Sequence, residues 1–124
     1  MTNIRATPVV IDLAKEFIGF MCDLAPNWEK AFYRFRAEEA RYGSNASYII
    51  GTDVFLVGAL KQAVFYSRMN DFGAMLLKEL GKSQGVFLLT IDAEFNYDIK
   101  FEWSDLHRWE ITKLDGGTGL PKEN

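Results

Sequence analysis

The sequence has little of what most covalent and metal chemistry requires. It contains one cysteine, Cys22, which excludes an intrachain disulfide framework and a cysteine-rich zinc site. Cys22 lies beside the apolar stripe of a predicted helix, next to Asp23, and we expect a buried structural thiol there rather than a nucleophile. It also contains one histidine, so no pair of imidazoles can hold a metal ion. We interpret that residue, His107, as an ordinary polar surface side chain.

Long apolar runs and a basic charge balance are also missing. No run approaches the ~20 residues that a membrane-spanning helix needs, and residues 1–5 show no signal-peptide pattern. The net charge is −3, whereas proteins that bind nucleic acids are usually basic. A chain of 124 residues, 48% hydrophobic and 25% charged, has the size and composition of one globular domain, which we assign to residues 1–124. We therefore expect a cytoplasmic, non-enzymatic protein without cofactor or metal, which contacts neither membranes nor nucleic acids directly.

Two amphipathic helices are predicted. Thr7 and Pro8 are a favourable cap and first residue for a helix whose apolar residues recur at three- and four-residue steps. Pro26 ends this helix, because the residue before a proline is pushed out of the helical conformation. A second apolar stripe predicts a helix over roughly residues 64–81.

Alternating side chains and short apolar runs predict about five strands. They lie at residues 28–38, 47–50, 54–57, 86–91 and 97–103. Residues 42–45 are predicted as a turn and residues 109–114 as one more edge strand. Residues 115–124 are rich in glycine, which predicts a flexible tail or a loop lying over the surface. This order of elements favours an α+β fold, with an antiparallel sheet of about five strands and both helices packed on one face.

The last predicted hairpin is acidic. Within fourteen residues, opposed only by Lys100, lie five hairpin carboxylates: Asp92, Glu94, Asp98, Glu102 and Asp105. Two such groups could act as a general acid and base or hold a hard cation. They could equally form a negative surface that steers a basic partner into place, or a solvated edge without function. Apolar and polar side chains alternate along residues 97–103, and this alternation assigns Tyr97, Phe101 and Trp103 to the core instead.

Arg34, Arg36 and Arg41 belong to a basic stretch that is interleaved with aromatic residues. Cations and aromatic rings together can bind single-stranded RNA. Neighbouring glutamates nearly cancel this charge, however, so we interpret the stretch as the solvated face of a strand.

Six segments, spread over nearly the whole chain, carry a resemblance to a known family. They are NWEKAFYRF (27–35), GSNASY (43–48), GVFLLTID (85–92), NYDIKFEW (96–103), WEITKL (109–114) and GGTGLP (116–121). In these segments the sequence resembles YezG-like immunity proteins, of the bacterial branch linked to contact-dependent growth inhibition. The resemblance implies a cytoplasmic antitoxin that binds the C-terminal toxin domain of a large secreted effector, commonly a nuclease. It implies no catalytic residue.

The resulting hypothesis is an immunity protein that neutralises a basic nuclease toxin by stoichiometric binding, as a monomer or weak dimer. The five hairpin carboxylates are the expected contacts to lysine and arginine side chains of the toxin. The alternative is a small α+β ligand- or metal-binding protein, with hydrolytic activity as an option, that uses the same acidic hairpin.

Overall fold

The computed structural model describes residues 6–39 and 41–122. The main elements in chain order are α1 (Ala6–Leu24), β1 (Lys30–Glu38), β2 (Arg41–Ile50), β3 (Asp53–Leu56), α2 (Ala63–Glu79), β4 (Gln84–Asp92) and β5 (Tyr97–Glu102). The strands form one antiparallel sheet in the order β3-β2-β1-β4-β5. This arrangement confirms the predicted α+β fold. Within the described ranges, neither helix has the length and apolar character needed to cross a bilayer.

Strand β1 is the centre of the sheet. It pairs with β2 on one side and β4 on the other over all of its nine residues. Side chains of a strand point alternately to opposite faces. We call the side of the odd-numbered residues of β1, β4 and β5 the helix face, and the side of their even-numbered residues the second face.

Both helices cover the helix face. They contribute the buried stripes Val9, Leu13, Phe17 and Met21 from α1, and Phe65, Met69, Leu76 and Leu77 from α2. These side chains pack on aromatic and aliphatic residues of the central strands, including Tyr33, Phe35 and Phe87. Helix α2 approaches β1 closely at Gly73, where an added Cβ would lie 2.7 Å from the ring of Phe35.

The second face is covered by residues 104–122, which we call the covering segment. Its side chains Trp109 and Ile111 form a second, smaller core with residues of β1 and β4: Phe32, Val86 and Leu88. The predicted strand at residues 109–114 is therefore wrong, since this segment packs across the face of the sheet instead of pairing at its edge. Its backbone turns sharply at Trp109, whose φ is 61°.

The described part of the predicted tail lies over the same face. Leu120 packs against the second core, and the N–H groups of Gly119 and Lys122 donate to the carbonyl oxygens of Thr112 and Glu110. Of the two predicted alternatives, a flexible tail or a loop lying over the surface, this placement matches the surface loop. The predicted flexibility stays a prediction, and residues 123 and 124 lie outside the described ranges.

The predicted turn at residues 42–45 is wrong. These residues belong to β2 and pair with residues 34–37 of β1, because pairing with a buried neighbouring strand outweighs the turn preference of Gly43, Ser44 and Asn45. The chain begins to reverse earlier, at Glu39, whose φ is 54°.

Two predictions about single side chains are also wrong. Cys22 is exposed, because it is one residue beyond the buried Met21 and therefore about 100° further round the helix. Tyr97 is exposed as well, since it lies at the start of an edge strand beside a turn. Phe101 and Trp103 pack against the main core as predicted.

Candidate functional site

The β4–β5 hairpin separates the five hairpin carboxylates into two groups. Asp92, Glu94 and Asp98 lie at or beside the turn, whereas Glu102 and Asp105 lie at the opposite end of β5. Asp98 and Glu102 share the second face, as the alternation predicts, but four residues of strand separate them by about 13 Å. The five carboxylates therefore do not form a single cluster.

Asp92 organises the turn between β4 and β5. Its Oδ1 accepts hydrogen bonds from the backbone N–H groups of Glu94, at 2.9 Å, and Asn96, at 3.1 Å. Its Oδ2 accepts a third from Asn96 Nδ2, at 3.2 Å. These bonds, above all the one from the Asn96 backbone, hold the pKa of Asp92 below its usual range. The carboxylate of Asp92 is thus committed to holding the turn.

The turn exposes two aromatic side chains beside two carboxylates. Phe95 is 61% exposed and Tyr97 is 47% exposed, and both Glu94 and Asp98 are exposed as well. We call these four residues the hairpin tip. Phe95 has a φ of 69°, a conformation unfavourable for a bulky residue, and the Asp92 hydrogen bonds hold the backbone around it. Sequence analysis marked the two acids but missed Phe95, although an aromatic residue inside a polar turn is itself a signal.

Glu102 and Asp105 hold the covering segment. The Glu102 carboxylate accepts a hydrogen bond from Arg108 Nη1 at 2.9 Å and two more from the N–H groups of Ser104 and Asp105. The Arg108 bond is the main reason why the pKa of Glu102 lies below its usual range. Asp105 Oδ1 accepts from the N–H of His107 at 3.0 Å. Both carboxylates therefore have partners inside the protein.

The basic stretch of β1 is not a solvated face at Arg34. Arg34 is 6% exposed, and its Nε and Nη2 donate to the carbonyl oxygens of Arg108 and Leu106, both at 2.7 Å. Arg36 Nε donates to the same Leu106 carbonyl at 3.0 Å. Burial lowers the pKa of Arg34. The interpretation of this stretch as solvated is therefore wrong at Arg34 and only partly right at the half-buried Arg36, because the covering segment uses both guanidinium groups as anchors, whereas Arg41 is exposed as expected.

The remaining polar side chains singled out from the sequence are on the surface. The His107 side chain is exposed, and its Nδ1 lies 3.7 Å from Glu110 Oε2, in agreement with the expected surface position. Within residues 6–39 and 41–122, no group of three or more His, Cys, Asp and Glu side chains is arranged to hold a metal ion.

No family model and no curated protein matches the chain.

Proposed function

We propose that this protein is an immunity protein, which binds and neutralises a basic nuclease toxin of the kind delivered by contact-dependent growth inhibition. The hairpin tip is its main contact surface. The observation that carries the proposal is the exposure of Glu94, Phe95, Tyr97 and Asp98 around a turn that Asp92 holds in place, with Tyr97 and Asp98 on opposite faces of β5. The resemblance of six segments to YezG-like immunity proteins supports the same conclusion.

The hairpin tip has the chemistry of a protein-binding anchor. Aromatic side chains are enriched at interfaces and contribute much of the binding energy when they enter a pocket of the partner. A nuclease holds phosphate groups with lysine and arginine, and Glu94 and Asp98 offer those cations carboxylates instead. Because the turn is fixed before binding, little conformational entropy is lost when the partner docks.

The geometry divides the five hairpin carboxylates by role in this proposal. Glu94 and Asp98 contact the toxin directly, and Asp92 holds the turn that carries Glu94. Glu102 and Asp105 act inside the protein by holding the covering segment. A nanomolar complex requires about −12 kcal/mol, and two aromatic anchors with two flanking ion pairs can supply a large part of it.

The proposal predicts a large secreted effector in a neighbouring reading frame, and the test titrates the C-terminal domain of that effector with this protein by calorimetry. Glu94→Lys combined with Asp98→Lys should weaken binding by about 100-fold or more, because like charges then face each other across the interface. Asp12→Lys combined with Asp71→Lys is the matched control, since it makes the same charge change at exposed positions on α1 and α2. The control should keep the affinity of the unmodified protein.

Growth protection upon co-expression should follow the same order. Failure of the unmodified protein to bind or protect would reject the immunity function. Unchanged affinity of the double variant would reject the hairpin tip as the contact surface while leaving the function in place.

A further inference from the structure

Strand β5 is an open edge of the sheet. It ends the strand order, so β4 is its one strand neighbour within the described ranges. Asp92 donates its N–H to the carbonyl oxygen of Asn96 at 3.1 Å. These two residues continue the β4–β5 register, in which Ile91 lies opposite Tyr97. Pairs that exchange main-chain hydrogen bonds alternate with pairs that do not, so the even-numbered residues of β5 are those that bond to β4.

The main chain of β4 leads to the same assignment. Ala93 donates its N–H to the carbonyl oxygen of Glu29 at 2.9 Å, which continues the β1–β4 register. The odd-numbered residues of β4 therefore bond to β1 and the even-numbered ones to β5. Three residues of β5 are left with N–H and carbonyl groups that point to the open edge: Tyr97, Ile99 and Phe101. Among residues 6–39 and 41–122, no other main-chain group bonds to them.

The charges of β5 match the same strand running in the opposite direction. Asp98 and Lys100 share the second face, and both are exposed. When Ile99 faces Ile99 of a second copy, Asp98 lies opposite Lys100 of that copy, and Lys100 lies opposite its Asp98. In the same register Tyr97 faces Phe101 of the second copy on the helix face. Cross-strand pairs of opposite charges and of aromatic rings stabilise a sheet.

The neighbouring registers lose this match. Each side chain stays on its own face only if the register moves until Lys100 faces Lys100 or Asp98 faces Asp98. Both arrangements place like charges directly opposite each other, which destabilises a sheet. Glu102 already has an internal partner, Arg108, at 2.9 Å, and in the matching register it faces the uncharged Asn96. The charge pattern therefore selects one register.

The other edge strand, β3, has no such pattern. It is four residues long, and its one charged residue is Asp53. Phe55 and Leu56 are exposed on it, but no side chain there specifies a partner. Charged side chains usually protect a sheet edge from pairing with other chains. On β5 the same kind of charges admit one matching strand, which is β5 of a second copy.

We propose that two copies of this protein pair through β5, with Ile99 facing Ile99 across a two-fold axis. The two five-stranded sheets then form one continuous antiparallel sheet. About six main-chain hydrogen bonds from the odd-numbered residues join the copies, and two ion pairs between Asp98 and Lys100 fix the register. Such a contact is isologous, so it closes at two copies.

Pairing covers two residues of the hairpin tip, Tyr97 and Asp98. The toxin and the second copy therefore compete for the same side chains, and the dimer is a resting form that the toxin separates. This consequence rests on the proposed immunity function. Lys100 lies outside the hairpin tip, so a change at that position acts on the pairing without removing a toxin contact.

An exchange of charges tests the register by sedimentation equilibrium, from about 10 µM to about 1 mM protein. The unmodified protein should dimerise in this range. Asp98→Lys and Lys100→Asp should each raise the dimer dissociation constant by about tenfold or more, because each turns two attractive pairs into two repulsive ones. An equimolar mixture of the two variants should associate again, since the lysines of one strand then face the aspartates of the other.

Asp53→Lys, on β3, and Lys61→Asp, between β3 and α2, are the matched controls. They make the same charge changes at exposed positions and should leave dimerisation unchanged. Three outcomes would overturn the proposal: a monomer throughout the concentration range, equal effects of variants and controls, or a mixture that associates no better than its components.

The C-terminal domain of the effector tests the competition. Added to the unmodified dimer, it should produce complexes that contain one copy of this protein, and complexes that retain two paired copies would overturn the competition. Self-association is measured without the effector domain. Failure of the pairing and failure of the immunity function are therefore distinguishable.

Discussion

Arg34 shows how a charged side chain can be buried without a carboxylate partner. The alternation of β1 places it correctly on the side opposite Tyr33 and Phe35. Its acceptors, however, are main-chain carbonyl groups of residues that follow it by 72 and 74 positions. Carbonyl acceptors leave no mark in a sequence, so burial of this guanidinium could not be predicted. Any residue type at 106 and 108 offers the same oxygen atoms.

The Asp92 carboxyl, also a single residue, predicts how the stability of the protein depends on pH. The pKa of Asp92 is lower in the folded protein than in the unfolded chain. Its contribution to stability is therefore complete at pH values above the pKa of the unfolded chain. That contribution is lost as the pH falls through the folded value, below about pH 4. Asp92→Asn lacks the charge at every pH. The variant should therefore be less stable than the unmodified protein at neutral pH, and the two should converge in acid.

Urea unfolding between pH 7 and pH 2.5 measures this convergence. Glu102 also has a lowered pKa, but it is present in both proteins and cancels in the comparison. Asn96→Ala removes one of the three hydrogen bonds to Asp92 and should show a smaller difference of the same sign. A difference that stays constant over the whole pH range would contradict this account of the turn.

At the scale of elements, the sequence predicts what depends on local spacing. The apolar stripes of α1 and α2 and the alternation of β1 and β5 mark those elements, because each presents one apolar side to the main core. Strand β1 buries its other side as well, under the covering segment. The start of β2 and the path of the covering segment depend on distant partners instead. Gly43 is extended because it lies opposite Arg36 of β1, and residues 109–114 leave the sheet edge because Trp109 packs over its face.

The contact between α2 and β1 gives a prediction with a matched control. Gly73→Ala would place a methyl group 2.7 Å from the Phe35 ring, and forcing that ring to shift should cost about 1–3 kcal/mol. Gly19→Ala, on α1, meets nothing within 4 Å and should instead stabilise by about 0.5–1 kcal/mol through helix propensity. Urea unfolding of both variants checks the opposite signs. Two changes of the same sign would contradict the close approach at Gly73.

At the scale of the whole molecule, the sheet has a core on each face. The sequence predicts the larger core, under the helices, and assigns the second face to solvent. The candidate site, too, is predicted from the sequence only in part. Its acidic side chains and their positions on the last hairpin follow from the sequence. The pairing of Glu102 with Arg108 does not, because it depends on the covering segment folding back over the sheet.

Trp109 tests whether the covering segment is part of the cooperative fold. It is 2% exposed in the second core, so Trp109→Ala should cost about 3–5 kcal/mol in unfolding free energy. Leu114→Ala lies in the same segment, but its side chain is 75% exposed, and it should change stability by about 0.5 kcal/mol or less. Equal, small effects of the two substitutions in urea unfolding would show that the segment is dispensable.

The covering segment has a consequence for the order of events during synthesis. Strand β1 is translated before the covering segment, so Phe32 and Arg34 on it meet their partners in that segment only after residues 106–111 have been translated. Until then the nascent chain carries an uncovered apolar patch and a guanidinium without its carbonyl acceptors. A newly made copy therefore completes this face of the sheet only after both helices and all five strands have emerged.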